Sequence, residues 1–369
     1  MSRNRKVLML LGSYDALAHA GIARAARELN WHLDVSLLKT FQFPVRWEGE
    51  GIITSLNQSQ RLLSFIRRAK LPTVDLSTWR SDIKCARVAA DNEAIGRAAA
   101  EHLVALGHQN YAWFALSRNP VGEARFKGFR EALPSTVQLA RLDGRGAQLH
   151  ETTYKRLKSR AVPLAVFCKS DDEAAWLLNL CLNHQIRIPE EIAILGVDNN
   201  PLICEYQPVP LSSVNHDLER IGYEGALRLD ALIEGAQFPG PLLIPPRSVT
   251  QRQSTDELAV SDPAVRIALE YMQTQLRRSI GTEDIARVAG ISRRSLEIRF
   301  KEQMHVSVHE RLIETRLYNA MQLFADKSHS ITDIAALSGF CNAPHFTRTF
   351  KKKHGTTPLK YRKQFFQMD

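Results

Sequence analysis

Through roughly the first 250 residues, short apolar runs alternate with amphipathic stretches. The runs KVLMLLG (6–12), GIITS (51–55), PTVDLS (72–77), ARVAAD (86–91), YAWFAL (111–116), LAVFCKS (164–170) and IAILGVD (192–198) each have the length of a buried strand. Between most of them lie segments of helical periodicity: AGIARAAREL (20–29), NEAIGRAAAEHLVALG (92–107) and DEAAWLLNLCLNH (172–184). A strand apolar on both faces needs cover on both faces, and alternating helices supply it. The pattern therefore predicts doubly wound parallel sheets. Its length exceeds what one such sheet needs, which predicts an α/β body of two lobes.

In sheets of this kind ligands sit beyond the carboxyl ends of the strands. Tyr14 and Asp15 follow the first run, and Glu123 and Arg125 lie in the segment after Leu116. Asp171 and Asp172 follow LAVFCKS, and Asp198, Asn199 and Asn200 follow IAILGV. Carboxylates, amides and an arginine suit a small polyhydroxylated ligand. They accept from and donate to paired hydroxyls, and an aromatic face stacks on a sugar ring. Each residue also has a structural reading: Asp171 or Asp172 as an N-cap, Asp198–Asn199 as turn residues. Their shared place at strand ends favours the ligand.

Around 245–261 the strand pattern stops, RQSTDELAVSDP is polar, and Asp262–Pro263 is a helix start. The body is expected over 1–254, a linker over 255–263, and a second domain over 264–369. That domain holds an internal repeat, EDIARVAGISRRSLEIRFKEQM (283–304) against TDIAALSGFCNAPHFTRTFKKKH (332–354). Ile285–Ala286 and Ile334–Ala335 precede Gly290 and Gly339 at the same interval, and Ile291 and Phe340 follow. Each copy ends in Phe-Lys, and the second has one extra residue between its Gly and its Phe. The spacing predicts two helix-turn-helix units, at about 282–303 and 331–353, joined by a long amphipathic helix over 308–324. Two such units in a fixed relation set two helices into the major groove about one turn apart. Phe300, Phe340, Phe346, Phe350 and Tyr361 are expected in the core of this all-α domain, because a duplex offers no unstacked base to receive them.

Charge sharpens this division. The chain of 369 residues carries a net +10. From Asp262 onward 18 Lys and Arg face 11 Asp and Glu, and the preceding residues carry 31 against 28. A polyanion partner is therefore expected for the C-terminal third alone. The five cysteines show no metal-ligand spacing, so reduced thiols are expected. No run is long enough to span a membrane and the N-terminus lacks a signal-peptide pattern, which points to the cytoplasm. No nucleotide loop, zinc-protease motif or nucleophile elbow is found. No catalytic residue, metal or cofactor is expected.

Residues 6–254 resemble the effector-binding core of LacI/GalR-type repressors, which share the periplasmic-binding-protein-like fold. The stretches that carry the resemblance include VAADNEAIGRAAAEHLVALGHQNYAWFAL, EARFKGFREAL, PEEIAILGVDNNP and LSSVNHDLERIGYEGALRLDALIEG. It implies effector contacts at Arg125 and Asp198, and a frequent contact at Asp171. Tyr14, Asp15 and Asn199 complete the candidate set. LacI-type proteins begin with a DNA-binding headpiece, whereas this sequence starts with strand one, so its body is not expected to bind DNA in the LacI manner. The helix opening at Asn92 matches a region through which such bodies pair; the alternative is that it only covers a sheet face.

Residues 264–365 resemble the DNA-binding domain of the AraC/XylS family, through Ile334–Ala335, Gly339–Phe340, Phe346–Lys352 and Gly355–Arg362. The resemblance implies base reading by Arg294, Glu297 and Ile298 in the first unit and by Pro344, His345 and Arg348 in the second. Arg pairs with guanine, Glu accepts from cytosine, and Ile meets a thymine methyl. Pro344 has no donor and starts the helix. Arg293, Lys301, Lys351 and Lys352 are assigned to phosphates, which position without specifying. A LacI-like body ahead of an AraC-type reader resembles sugar-operon regulators of the xylose type. That implies D-xylose bound between the lobes, double-stranded operator DNA, a homodimer, RNA polymerase as a partner, and activation. Two other readings remain at this point: a sugar-processing enzyme with an appended DNA-binding domain, and a DNA binder indifferent to ligands.

Overall fold

The computed structural model describes residues 4–37, 47–143, 149–256, 260, 262–275, 278, 280–304, 306–324, 326 and 328–366. Its strands, in chain order, are β1 (Arg5–Leu11), β2 (Trp31–Asp34), β3 (Gly51–Ser55), β4 (Thr73–Asp75), β5 (Ala86–Ala90) and β6 (Asn110–Ala115). After these come β7 (Gln138–Asp143), β8 (Leu164–Cys168), β9 (Ile192–Val197), β10 (Ser212–Asn215), β11 (Leu242–Ile244) and β12 (Ser248–Thr250). The helices of the body are α1 (Ala16–Glu28), α2 (Gln60–Ala69), α3 (Asn92–Ala105), α4 (Pro120–Ala132), α5 (Leu149–Lys158), α6 (Asp171–Asn183), α7 (Pro201–Cys204) and α8 (Leu218–Ile233). All seven expected runs form strands, and β2, β7, β10, β11 and β12 are additional.

One compact unit comprises residues 1–96, 117–128 and 215–246. Its sheet runs β11-β5-β4-β3-β1-β2, with parallel pairing throughout the registers found. Val7 to Leu11 of β1 are buried, as a central strand covered on both faces requires. Helices α1 and α8 pack backbone to backbone. A side chain at Gly21 would fall on the Glu219 carbonyl, and one at Gly222 on the Ala18 carbonyl, so only glycine permits this approach.

The second unit comprises residues 97–116, 129–214 and 247–369. Its sheet runs β12-β10-β9-β8-β6-β7, and every residue of β8 and β9 is buried. Past β12, the backbone of Gln253–Thr255 forms a short 3-10 turn in which Ser254 and Thr255 are fully buried. Thr255, the first residue of the expected linker, thus lies inside packed structure. Residues 257–259 and 261 of that linker lie outside the described residues.

The same unit continues into seven helices among the described residues: α9 (Pro263–Thr274), α10 (Thr282–Val288), α11 (Arg293–Met304), α12 (Val308–Leu323), α13 (Ile331–Leu337), α14 (Ala343–His354) and α15 (Pro358–Phe366). Two cores form here. Ile285, Leu296 and Phe300 bury against Val265, Leu269 and Met272 of α9, while Ile334, Phe340, Phe346 and Phe350 bury around Phe324. Helix α12 serves both, giving Val308 and Leu312 to the first core and Leu317 and Ala320 to the second. It is a shared spine. The aromatics of the repeat are core, as expected: Phe300, Phe346 and Phe350 are fully buried, and Tyr361 packs on Phe350. Among the described residues no helix is long and apolar enough to cross a membrane.

Candidate effector residues and nucleic-acid interface

In the first unit, Arg125 projects from α4 and is buried. Its Nε donates to Asn92 Oδ1 at 2.9 Å, and Nη2 lies 3.4 Å from His216 Nδ1. Asn92 is anchored in turn, donating to Thr78 Oγ1 and the Ala90 carbonyl, both at 3.2 Å. Burial, and then the charge of Arg125, push the His216 pKa down to about 3. The neutral ring can therefore accept from the guanidinium. Asn92 and His216 escaped the sequence reading. His216 stands just beyond the carboxyl end of β10, where the strand-end rule would have found it had SSVN been read as a strand.

Tyr14 and Asp15 follow β1. Asp15 caps α1, accepting from the Leu17 and Ala18 amides at 2.8 and 3.0 Å. The Tyr14 ring is 58% exposed, and its hydroxyl lies 3.1 Å from His19 Nδ1. Asp15 thus carries the structural role considered for strand-end aspartates, and Tyr14 offers an open aromatic face.

In the second unit, Asp171 is fully buried and both its oxygens are engaged. Oδ1 accepts from Ser213 Oγ at 2.6 Å and Oδ2 from the Asn200 amide at 2.9 Å. Burial raises its pKa, and these bonds oppose the rise. Ser213 Oγ also accepts from the Asn199 amide at 2.9 Å. Asp171 and Ser213 together clamp the turn after β9. In that turn Asp198 and Asn199 take φ values of 117° and 52°. Non-glycine residues held there cost about 1–3 kcal/mol each, strain that persists only where surrounding contacts enforce it. Asn199 Oδ1 is buried and has no hydrogen-bond partner among the described residues. Here Asp171 holds the residues beside it, and its own oxygens are spent on the protein.

Helix α3, considered as a pairing surface, exposes only Arg97 among its fourteen residues. Asn92 at its start is occupied with Arg125, and Leu106, just beyond its end, joins the first helical core.

The two helix-turn-helix units share one construction. Gly290 and Gly339 take φ of 70° and 76°, the left-handed C-cap that lets a short helix stop and reverse. The Ile291 amide then bonds back to the Ala286 carbonyl, and the Phe340 amide to that of Ala335. Ser292 and Asn342 cap the second helices, accepting from the amides of Ser295 and His345. Gly290 lies two positions before its cap and Gly339 three, so the extra residue of the second copy sits in the turn. From cap to buried anchor, Ser292 to Leu296 and Asn342 to Phe346, the two units are in step.

Arg294, Ile298, Pro344 and Arg348 are exposed on the outer faces of α11 and α14, and His345 is half-exposed. Cys341, Asn342, Pro344, His345 and Arg348 line an open hollow at the start of α14. Glu297 makes a contact within the protein. It is half-buried, and Oε2 accepts from the Val308 amide at 3.4 Å, so its carboxylate closes the start of α12. Arg293 pairs with Glu283 at 3.0 Å on the surface, a link too exposed to hold it against a phosphate. Lys301, Lys351 and Lys352 are exposed. Among the described residues no three metal-ligating side chains converge.

Residues 100–255 match the periplasmic binding protein-like domain family, and residues 285–364 match a helix-turn-helix domain family. The xylose operon regulatory protein of Haemophilus influenzae is 30% identical over 287 residues, 74% of each chain. That of Escherichia coli K12 is 25% identical over 374 residues, 95% of this chain and 94% of its own. The solved structure of the xylose-binding transcription activator xylR superposes with a TM-score of 0.62 at 24% identity, covering 100% of both chains. These relatives are transcription regulators and not enzymes. The strained turn and the held arginine thus lie in a body of binding-protein type, followed by a duplicated AraC-type reader, and the chain belongs to the xylose operon regulatory protein family of DNA-binding transcription regulators.

Proposed function

We propose that this regulator senses D-xylose and answers by binding an operator duplex. Arg125 in the first unit, and Asp198 and Asn199 in the second, are the effector contacts; Tyr14 adds an aromatic face, and Asp15 and Asp171 hold neighbouring backbone. The observation that carries the reading is the clamped turn of β9. It fixes two non-glycine residues in left-handed backbone and leaves the buried Asn199 Oδ1 without a donor among the described residues. A sugar hydroxyl supplies that donor, and an unmade buried bond costs about 1–3 kcal/mol. The identity of the sugar follows the relatives' names. Arg294, Ile298, His345 and Arg348 read bases, Pro344 shapes the helix start, and Lys301, Lys351, Lys352 and Arg293 meet phosphates. The protein works in the cytoplasm as a homodimer that activates transcription with RNA polymerase.

Thermal unfolding against a panel of pentoses and hexoses tests the sensor. A ligand that binds the folded state alone stabilises it by about 2.7 kcal/mol at a hundred times its Kd. D-xylose is expected to raise Tm in the wild type and to leave Arg125→Ala and Asp198→Ala unmoved. A panel in which no sugar raises Tm, or variants that respond like the wild type, would overturn the assignment. A DNA binder indifferent to ligands predicts the same operator affinity for Arg125→Ala and wild type, with or without sugar.

A further inference from the structure

Strand β10 carries two consecutive buried serines, and alternation along a strand sends them to opposite faces. Ser213 holds the effector turn, as described. Ser212 faces the other way, into a chain of buried polar groups. Thr255 Oγ1 donates to Ser212 Oγ at 2.7 Å, and His102 Nε2 lies 3.1 Å from Thr255 Oγ1. On its other side, His102 Nδ1 lies 3.4 Å from the Tyr318 hydroxyl of α12. The Ser212 hydroxyl donates onward to the Arg252 carbonyl at 2.9 Å.

The donors fix the direction of this chain. Thr255 has spent its single hydrogen on Ser212, so it can only accept from His102 Nε2–H. Nδ1 is then the acceptor, and Tyr318 donates to it. The imidazole must be neutral, and burial, which pushes its pKa down to about 4, keeps it so. His102, Thr255 and Ser212 are each at most 2% exposed, so no water replaces a broken link. The longest link, Tyr318 to His102, is also the least supported. Beside it Tyr318, Glu101, Val104 and Lys353 line a cavity of about 80 Å³.

We infer that His102 and Tyr318 couple the effector turn to α12, the spine shared by both readers, through Thr255 and the paired serines of β10. The inference rests on the sensor reading above, because it needs a ligand at Asp198–Asn199. Filling that turn shifts β10, and the shift reaches α12 through buried hydrogen-bonded groups: Ser212 Oγ, which also accepts from the Arg252 amide at 2.8 Å, then Thr255, His102 and Tyr318. His102 and Tyr318 are positioning residues: neither touches effector or DNA.

The test uses the full chain, D-xylose, and a duplex selected by the wild type from a random pool. Tyr318→Phe removes one oxygen, His102→Phe removes both ring nitrogens, and His102→Gln keeps a donor and an acceptor. Calorimetry is expected to give all three the wild-type D-xylose affinity within about twofold. The ratio of duplex affinities with and without sugar, typically 5–150-fold for a coupled pair of sites, is expected to fall about fivefold or more in Tyr318→Phe and His102→Phe. His102→Gln is expected to retain most of it, which a role in packing alone would not produce. Hydrogen exchange on the sugar-free protein gives a readout independent of ligand: the Asn199 and Asn200 amides are expected to exchange faster in Tyr318→Phe. Unchanged exchange together with an unchanged ratio overturns the coupling. A wild type that binds no D-xylose overturns the sensor reading instead, and the exchange result still decides whether Tyr318 reaches the turn.

Discussion

Asp171 and Glu297 make the same point at the scale of single residues. Both carry carboxylates at positions where a family resemblance implies recognition, and both accept from the protein's own amides, Asp171 at 2.9 Å with its other oxygen on Ser213, Glu297 through one bond of 3.4 Å. A residue that aims a neighbour is indistinguishable in sequence from one that touches a ligand. Among the described residues Arg348 has no such diversion in the hollow at the start of α14, whereas Lys351 lies one turn further on. Arg348→Ala is expected to cost about 1–3 kcal/mol on the selected duplex and little on unrelated ones. Lys351→Ala is expected to weaken all duplexes alike and to reduce the salt dependence of binding. Competition binding at two salt concentrations separates them, and equal losses for Arg348→Ala on every duplex would assign it to phosphate. His216 gives a pH dependence. Its folded pKa, about 3, lies below the unfolded value of about 6.5. Its contribution is therefore complete above about pH 6.5 and is lost as pH falls toward the folded value, at up to about 1.4 kcal/mol per pH unit. Asp75, pushed up to about 6 by burial, works the other way and loses stability as pH rises through that window. Tm measured from pH 7.5 to 5 is expected to decline less steeply for His216→Gln than for the wild type.

At the scale of elements, the second reader is built around an aromatic cluster. Phe350 is fully buried, with Phe324, Phe346 and Tyr361 within 5.4 to 5.7 Å between ring centroids. Phe350→Ala is expected to cost about 3–5 kcal/mol in urea unfolding of the second reader, with D-xylose binding retained. A loss below 1 kcal/mol would mean that the site collapses around the gap. This cluster was legible in the sequence because the repeat fixes the spacing and bulky apolar residues mark the buried face. The seven central strands were legible for the same reason. The strands that escaped have different chemistry. β10, SSVN, reads as a polar turn, yet Ser212 and Ser213 are fully buried because each hydroxyl is satisfied within the protein. β7, QLARLD, alternates at a sheet edge, and β11 and β12 are three residues each. Composition reports burial only where burial is apolar. The candidate site residues divide likewise: Arg125 and Asp198 follow strands that could be seen, and His216, which lies against Arg125, follows one that could not.

At the scale of the whole molecule, sensing and reading occupy separate stretches of chain, but the two sheets of the sensor do not. The first unit is assembled from residues 1–96, 117–128 and 215–246, with the second unit's segments threaded among them. Each sheet receives its last strand late: β11 at 242–244 completes one and β12 at 248–250 the other, and each lies at a sheet edge. A growing chain therefore holds two unfinished sheets, with β5 and β10 as bare edges, until about residue 250 has been made. Then both close almost together, before any helix of the reader exists. Bare parallel edges are where nascent chains stick to one another. Synthesis interrupted shortly before that point leaves a product fit only for chaperones and proteases, whereas interruption shortly after it leaves a finished sensor with nothing to direct.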